Sequence, residues 1–129
     1  MRARASAIHH RDWLLLTEER ERVRDRWAQF FTRFDVLLCP VLMTTAVGHQ
    51  QEGTLYTRTL RVDGVDRPYA DVIWWTILIG MAYLPSTVVP VGWTPSGLPV
   101  GVQVVGPYLG DRSTLAAARA SATAARAAS

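Results

Sequence analysis

The chain has 129 residues, 49% of them hydrophobic and 19% charged, which is the composition of an ordinary globular domain and excludes a disordered or low-complexity polymer. The formal charge is +3, carried by fourteen arginines and not one lysine. The arginines alternate with acids or scatter toward the termini, so no basic face with interleaved aromatics forms and no nucleic-acid partner is expected.

The opening stretch MRARASAIHH has charge but no apolar run behind it, so no targeting signal is evident. Residues 1–9 are expected to fray. His9 and His10 are neighbours, which point in different directions on a helix, so they read as surface or capping residues and not as paired ligands. From Thr17 to Arg33 the spacing of Leu16, Val23, Trp27, Phe30, Phe31 and Phe34 predicts an amphipathic helix. Thr17 is its expected N-cap, with Glu18 and Glu19 where the dipole favours acids.

DVLLCPV, starting at Asp35, is a short continuous apolar run and predicts a fully buried strand ended by Pro40. Helix followed by buried strand is the grammar of an α/β layer. Cys39 in this run is the only cysteine, which rules out an internal disulfide and fits a reducing, cytoplasmic setting. Residues 43–68 lack periodicity and predict an extended loop holding a small hairpin, Thr57 to Val62 and onward, turning at Asp63 and Gly64. His49 lies in that loop. Tyr69 to Tyr83 predicts a buried helix, with Trp74 and Trp75 either packed inside or facing a pocket.

Residues 72–110 carry no charge. Pro85, Pro90, Pro95 and Pro99, with Gly80, Gly92, Gly97 and Gly101, interrupt them before a helix of about 20 residues can form, so no membrane span is expected. Within them Thr87–Val91 and Val100–Val105 are valine-rich strands around a turn, in which Pro95 presets φ and Gly97 supplies positive φ. Alternation sets Thr87, Val89 and Val91 against Val88 and Pro90, and Val100, Val102 and Val104 against Gly101, Gln103 and Val105. Both faces are apolar or small, so the hairpin belongs inside a layered sheet larger than this chain supplies. An alanine-rich helix follows, capped by Asp111 or Ser113, with the turns after Thr123 and residues 124–129 expected to fray.

Taken together, ERERVRDRWAQFF, then DVLLCPV, then a long loop, then LPSTVVPVGWTPSGLPVGVQVVGP and GDRSTLAAA resemble the C-terminal part of amidase signature family hydrolases. The most specific piece is Val89 to Pro107, VPVG followed by a short turn and GLPVGVQVVGP, with Asp111 and Leu115 beyond it. The resemblance runs from about His10 to Ala118. It implies an α/β fold: the C-terminal part of a mixed β-sheet sandwiched between helices, incomplete by itself, with residues 1–129 a fragment of one amidase domain. It also implies hydrolysis of carboxylic amides, without metal or organic cofactor, by a serine nucleophile, a second serine and a lysine in a Gly-Ser-rich signature upstream of this region.

This chain has no Ser-Ser pair, no Gly-Ser-rich loop and no lysine. Arginine cannot replace the lysine, because its guanidinium keeps its proton at any relevant pH. Serine needs an adjacent base to become a nucleophile, so no catalytic residue is assigned and the chain alone is expected to be inactive. Its expected partners are the remaining N-terminal part of the domain, if separately encoded, and a small-molecule amide in the complete enzyme. By resemblance the stretches from Met43 to Gln51 and from Trp74 to Leu84 contribute to the substrate pocket, which makes Trp74, Trp75 and His49 candidate substrate contacts. Pro95, Gly97, Gly101 and Asp111 have structural roles.

Two other readings compete. One is a stand-alone binding or structural module that keeps the hairpin without the chemistry, and its open sheet edges would be an aggregation hazard. The other is an unrelated hydrolase using Ser86 or Ser96 with His49 and Asp71. Neither serine sits in a G-x-S-x-G strand-to-helix elbow, which counts against it.

Overall fold

A computed structural model describes residues 7–127. Helix α1 (His10–Phe31) leads into strand β1 (Leu37–Pro40), and a long irregular segment follows. A short hairpin comes next, β2 (Thr59–Val62) and β3 (Val65–Pro68), then a 3-10 turn (Tyr69–Ile73) and helix α2 (Trp74–Met81). Strands β4 (Ser86–Trp93) and β5 (Pro99–Val105) and helix α3 (Asp111–Ala127) complete the order.

Strands β1, β5 and β4 form one sheet in that order, antiparallel throughout, with Cys39 opposite Gln103 and Gln103 opposite Val88. The β4–β5 turn follows its sequence signals. Gly97 adopts φ +79°, its N–H donates to the Thr94 carbonyl at 2.9 Å, and the Leu98 N–H donates to Thr94 Oγ1 at 3.0 Å. Asp63 and Gly64, at φ +51° and +78°, make the β2–β3 turn with positive φ at both central positions, the type I′ geometry that a D-G pair favours.

Two small cores lie on opposite sides of the sheet. Val89, Val104 and Ala118 pack with Val36, Val102, Ala117 and Ala122 where α3 crosses one face. On the other, Cys39, Val105, Ile79, Ala82 and Leu84 pack with Val23, Trp27 and Phe31 of α1 and with Trp75. The expected alternation therefore holds along β5, Val102 and Val104 against Val105. In β4 it holds for Thr87 and Val89 against Val88 and breaks at Val91, which has no partner in the ladder because the register shifts between Pro90 and Gly92.

Several expectations about elements are corrected. Helix α1 starts at His10, not Thr17. Thr17 is inside it, its hydroxyl donating to the Trp13 carbonyl at 2.9 Å, while His9 holds the N-cap position without a side-chain cap bond. The DVLLCPV strand is not fully buried: Cys39 is, but Leu38 is 54% exposed, because nothing among the described residues covers its side chain. The stretch from Tyr69 to Tyr83 is a 3-10 turn and then a two-turn helix in which Ile79 is the buried residue, since a core meets it on one side and not the other. At the C-terminal end α3 stays helical to Ala127, beyond Thr123, and neither Asp111 nor Ser113 caps it: both lie inside its first turn, where the Thr114 N–H donates to the Gly110 carbonyl at 3.2 Å. Residues 1–6 and 128–129, where fraying is also expected, lie outside the described residues.

Arginines on α1 fasten it to two turns. The Arg20 guanidinium lies 4.9 Å from the Tyr83 ring centroid and that of Arg24 lies 4.3 Å from the Tyr108 ring. Arg24 Nη1 also donates to Glu21 Oε2 at 2.7 Å, and this bond above all raises the Arg24 pKa. The chain thus has α3 on one side of a three-stranded sheet and α1 with α2 on the other, and part of one sheet face stays open.

Candidate functional site

The open part of the face lies where β1 ends and residues 41–46 turn back along β5, enclosing a groove of about 630 Å³. Its floor includes Cys39 and Val88, whose side chains share a face because both are opposite Gln103 across the ladder. Gly101 continues the floor. A Cβ there would lie 3.1 Å from Val88 Cγ1, so the missing side chain helps keep the groove open. Val91, Leu42 and Met43 also line it.

None of the residues lining this groove is charged, and its polar side chains beyond Cys39 are the hydroxyls of Thr44 and Thr45. The Cys39 thiol is buried and Sγ accepts a hydrogen bond from Gln103 Nε2 at 3.3 Å. Such a site can hold an apolar group but contains no paired acid and base. A second cavity of about 330 Å³ lies between α1 and the turn after β5, where Arg24 meets Tyr108. Its charged lining is Glu21, Asp25 and Arg24, and Glu21 already engages Arg24.

The structure separates the three candidate contacts. Trp74 is 58% exposed, on the outer side of α2 with Ile77, Leu78 and Met81, and its Nε1 donates to Asp71 Oδ1 at 3.1 Å. Trp75 packs against the buried cluster beneath α2. His49 is exposed in the loop. None of the three lines the 630 Å³ groove, whereas Met43, Thr44, Thr45 and Ala46, within the loop stretch singled out by resemblance, do. Sequence reasoning missed Val88, Val91 and Gly101 as groove residues. The alternation of Val88 with Val89 held that information for Val88, but the bulge at Val91 had no signal beyond Pro90 and Gly92.

The alternative serine hydrolase has no support in the geometry. Ser96 Oγ is hydrogen-bonded to Thr94 Oγ1 at 2.9 Å and the Asp71 carboxylate to Trp74. Among the described residues no group of three or more His, Cys, Asp or Glu could hold a metal, and no helix is long and apolar enough to cross a membrane. The structural roles expected of Pro95, Gly97 and Gly101 fall at the β4–β5 turn and on the sheet floor.

Comparison with known proteins gives these features a context. Residues 1–115 match the Amidase family. A glutamyl-tRNA(Gln) amidotransferase subunit of Chlamydia trachomatis serovar D is 36% identical over 87 residues, covering 67% of this chain and 16% of that protein. Its counterpart in Neisseria meningitidis serogroup B is 32% identical over 99 residues, covering 77% and 18%. Among solved structures, a bacterial aryl acylamidase of the amidase signature enzymes superposes with a TM-score of 0.70 at 27% identity, over 94% of this chain and 24% of that one. The crystal structure of an amidase gives 0.69 at 26% identity, over 93% and 26%. The chain therefore spans between 16% and 26% of the length of these relatives, and its sheet and helices are a fragment of the amidase signature fold. With the hairpin, the flanking helices and the sequence all in agreement, the chain belongs to the Amidase family.

Proposed function

We propose that this chain is the C-terminal segment of an amidase, supplying sheet strands and part of the substrate-pocket wall to an enzyme that hydrolyses carbon-nitrogen bonds of carboxylic amides, and that alone it is inactive. The carrying observation is the apolar sheet face left open beside Val88 and Gly101 in a chain without a lysine. Such a face gains by being covered, and the family's reaction needs a base that no residue here can provide. The serine pair, the lysine and the N–H donors for the oxyanion, each worth about 3 to 4 kcal/mol, belong in this reading to a separate N-terminal part of the domain.

Trp74, Trp75 and His49 enter as candidate substrate contacts: Trp74 through its exposed indole, Trp75 as support behind it, and His49 from the loop that continues the groove wall. The solved aryl acylamidase and the amidotransferases named above make an acyl amide, an aryl amide or a glutamine side chain the first substrates to assay.

Purified chain incubated with hexanamide, acetanilide or L-glutamine should release no ammonia or aniline above blank. Mixed with a polypeptide carrying the serine pair and the lysine, encoded next to it, it should release them. Turnover by the chain alone that a serine-directed inhibitor abolishes would overturn the reading. The absence of any such neighbouring frame would favour a stand-alone binding module.

A further inference from the structure

Helix α3 covers the sheet face opposite the one that holds Cys39 and Val88, and its outer side is shaped like one half of a helix pair. Thr114 and Ala118 are buried on the inner side. At about 100° per residue the opposite side carries Arg112, Ala116, Arg119 and Thr123, all exposed. Arg112, Leu115, Ala116 and Arg119 enclose a depression of about 200 Å³. Their spacing, i, i+3, i+4 and i+7, is that of four neighbouring residues on one helix face, the kind of hole that receives a side chain from a facing helix. Ala116, the smallest of the four, leaves the hole open. We infer that this face docks a partner helix bearing an apolar residue flanked by acids, placed to fill the hole and to meet both arginines. The inference does not depend on the amidase reading.

The distribution of charge selects the partner. Beyond Asp111, α3 carries three arginines and no acid, and in the rest of the chain eleven arginines face eleven acids, so the whole formal excess of +3 lies on this helix. Arg112 and Arg119 make no hydrogen bond or ion pair with a described residue, and Arg126 continues their row. Arg112 and Arg119 lie about 10.5 Å apart along the axis, so acids at the same spacing on a facing helix reach both. A second copy of α3 would set arginine against arginine, which disfavours self-pairing here. A helix lying on a membrane needs a free apolar face, but the apolar side of α3 is spent on Val89 and Val104. Leu115 is the one large exposed apolar side chain on α3. Duplex nucleic acid would engage the arginines and leave the hole unused.

The probe is a labelled helical peptide of about three EAALQAA heptads, which sets each Leu between two Glu at the spacing of the hole and its arginines. Fluorescence anisotropy follows its binding to the full chain at dilute concentration. The chain should bind it, and less tightly as salt rises. Arg112→Glu combined with Arg119→Glu should weaken binding by about tenfold or more and turn the preference to a KAALQAA counterpart. Ala116→Trp, which fills the hole and leaves both charges, should also weaken EAALQAA binding. All three positions are exposed, and an unchanged far-UV circular dichroism spectrum shows that each variant keeps its fold. No binding, equal binding of KAALQAA by the unaltered chain, or indifference to Ala116→Trp would overturn the inference. Tighter binding to phosphatidylglycerol vesicles or to duplex DNA than to the peptide would overturn it as well, assigning the arginines to a membrane or a nucleic acid.

Discussion

The Thr114 methyl occupies the space that a side chain on Gly106 would need: a Cβ at Gly106 would lie 2.6 Å from Thr114 Cγ2. Thr114 cannot rotate away without loss, because its hydroxyl donates to the Asp111 carbonyl at 2.7 Å and accepts from Thr87 Oγ1 at 3.4 Å. The Gly106 backbone is tied as well, its N–H donating to the Pro85 carbonyl at 3.1 Å. Gly106→Ala should destabilise the chain by about 1 to 3 kcal/mol through overpacking, read as a lower urea midpoint at dilute concentration. Thr114→Ser, which removes the methyl and keeps the hydroxyl, should recover most of that loss in the double variant.

Cys39 and Gln103 form a buried polar pair across β1 and β5. Cys39→Ala should cost about 1 to 3 kcal/mol for the unpaired Gln103 donor, in addition to the lost sulfur volume. Cys39→Ser retains an acceptor and should cost less. Equal urea midpoints for the two variants would show that the hydrogen bond contributes nothing.

The β2–β3 hairpin is a sheet of its own, separate from the three-stranded one. Gly64 sits at φ +78°, where an L side chain is strained, so Gly64→Val should weaken the hairpin by about 1 to 3 kcal/mol. Amide exchange of Thr59–Val62 should then speed up while that of Val104 and Val105 stays slow, because the two sheets are not hydrogen-bonded to each other.

Large apolar side chains lie exposed on both helices of the partly open face, among them Trp13, Leu15 and Leu16 of α1 and Trp74, Ile77 and Met81 of α2. A patch of this kind drives association. The isolated chain should enhance ANS fluorescence strongly and elute at larger apparent mass as its concentration rises, and Leu15→Glu combined with Trp74→Glu should reduce both effects. A monomer at every concentration with no ANS signal would contradict this.

What could be read from the residues without coordinates was local. Pro95 with Gly97, and Asp63 with Gly64, fix turn geometry through φ alone, and the valines of β5 alternate because a pleated strand has a period of two. The glycines and prolines between Val89 and Pro107 pointed to the family for the same reason: backbone geometry is written residue by residue. Which apolar faces are covered was settled by the packing of the whole chain. DVLLCPV and the stretch after Tyr69 read as buried because hydrophobicity measures what a residue would gain from burial, not whether this chain supplies the cover. Leu38 and Trp74 stay exposed because no described residue covers them. The groove belonged to the same category, since Val88, Gly101 and Met43 are far apart in sequence and the bulge at Val91 depends on how β4 pairs with β5.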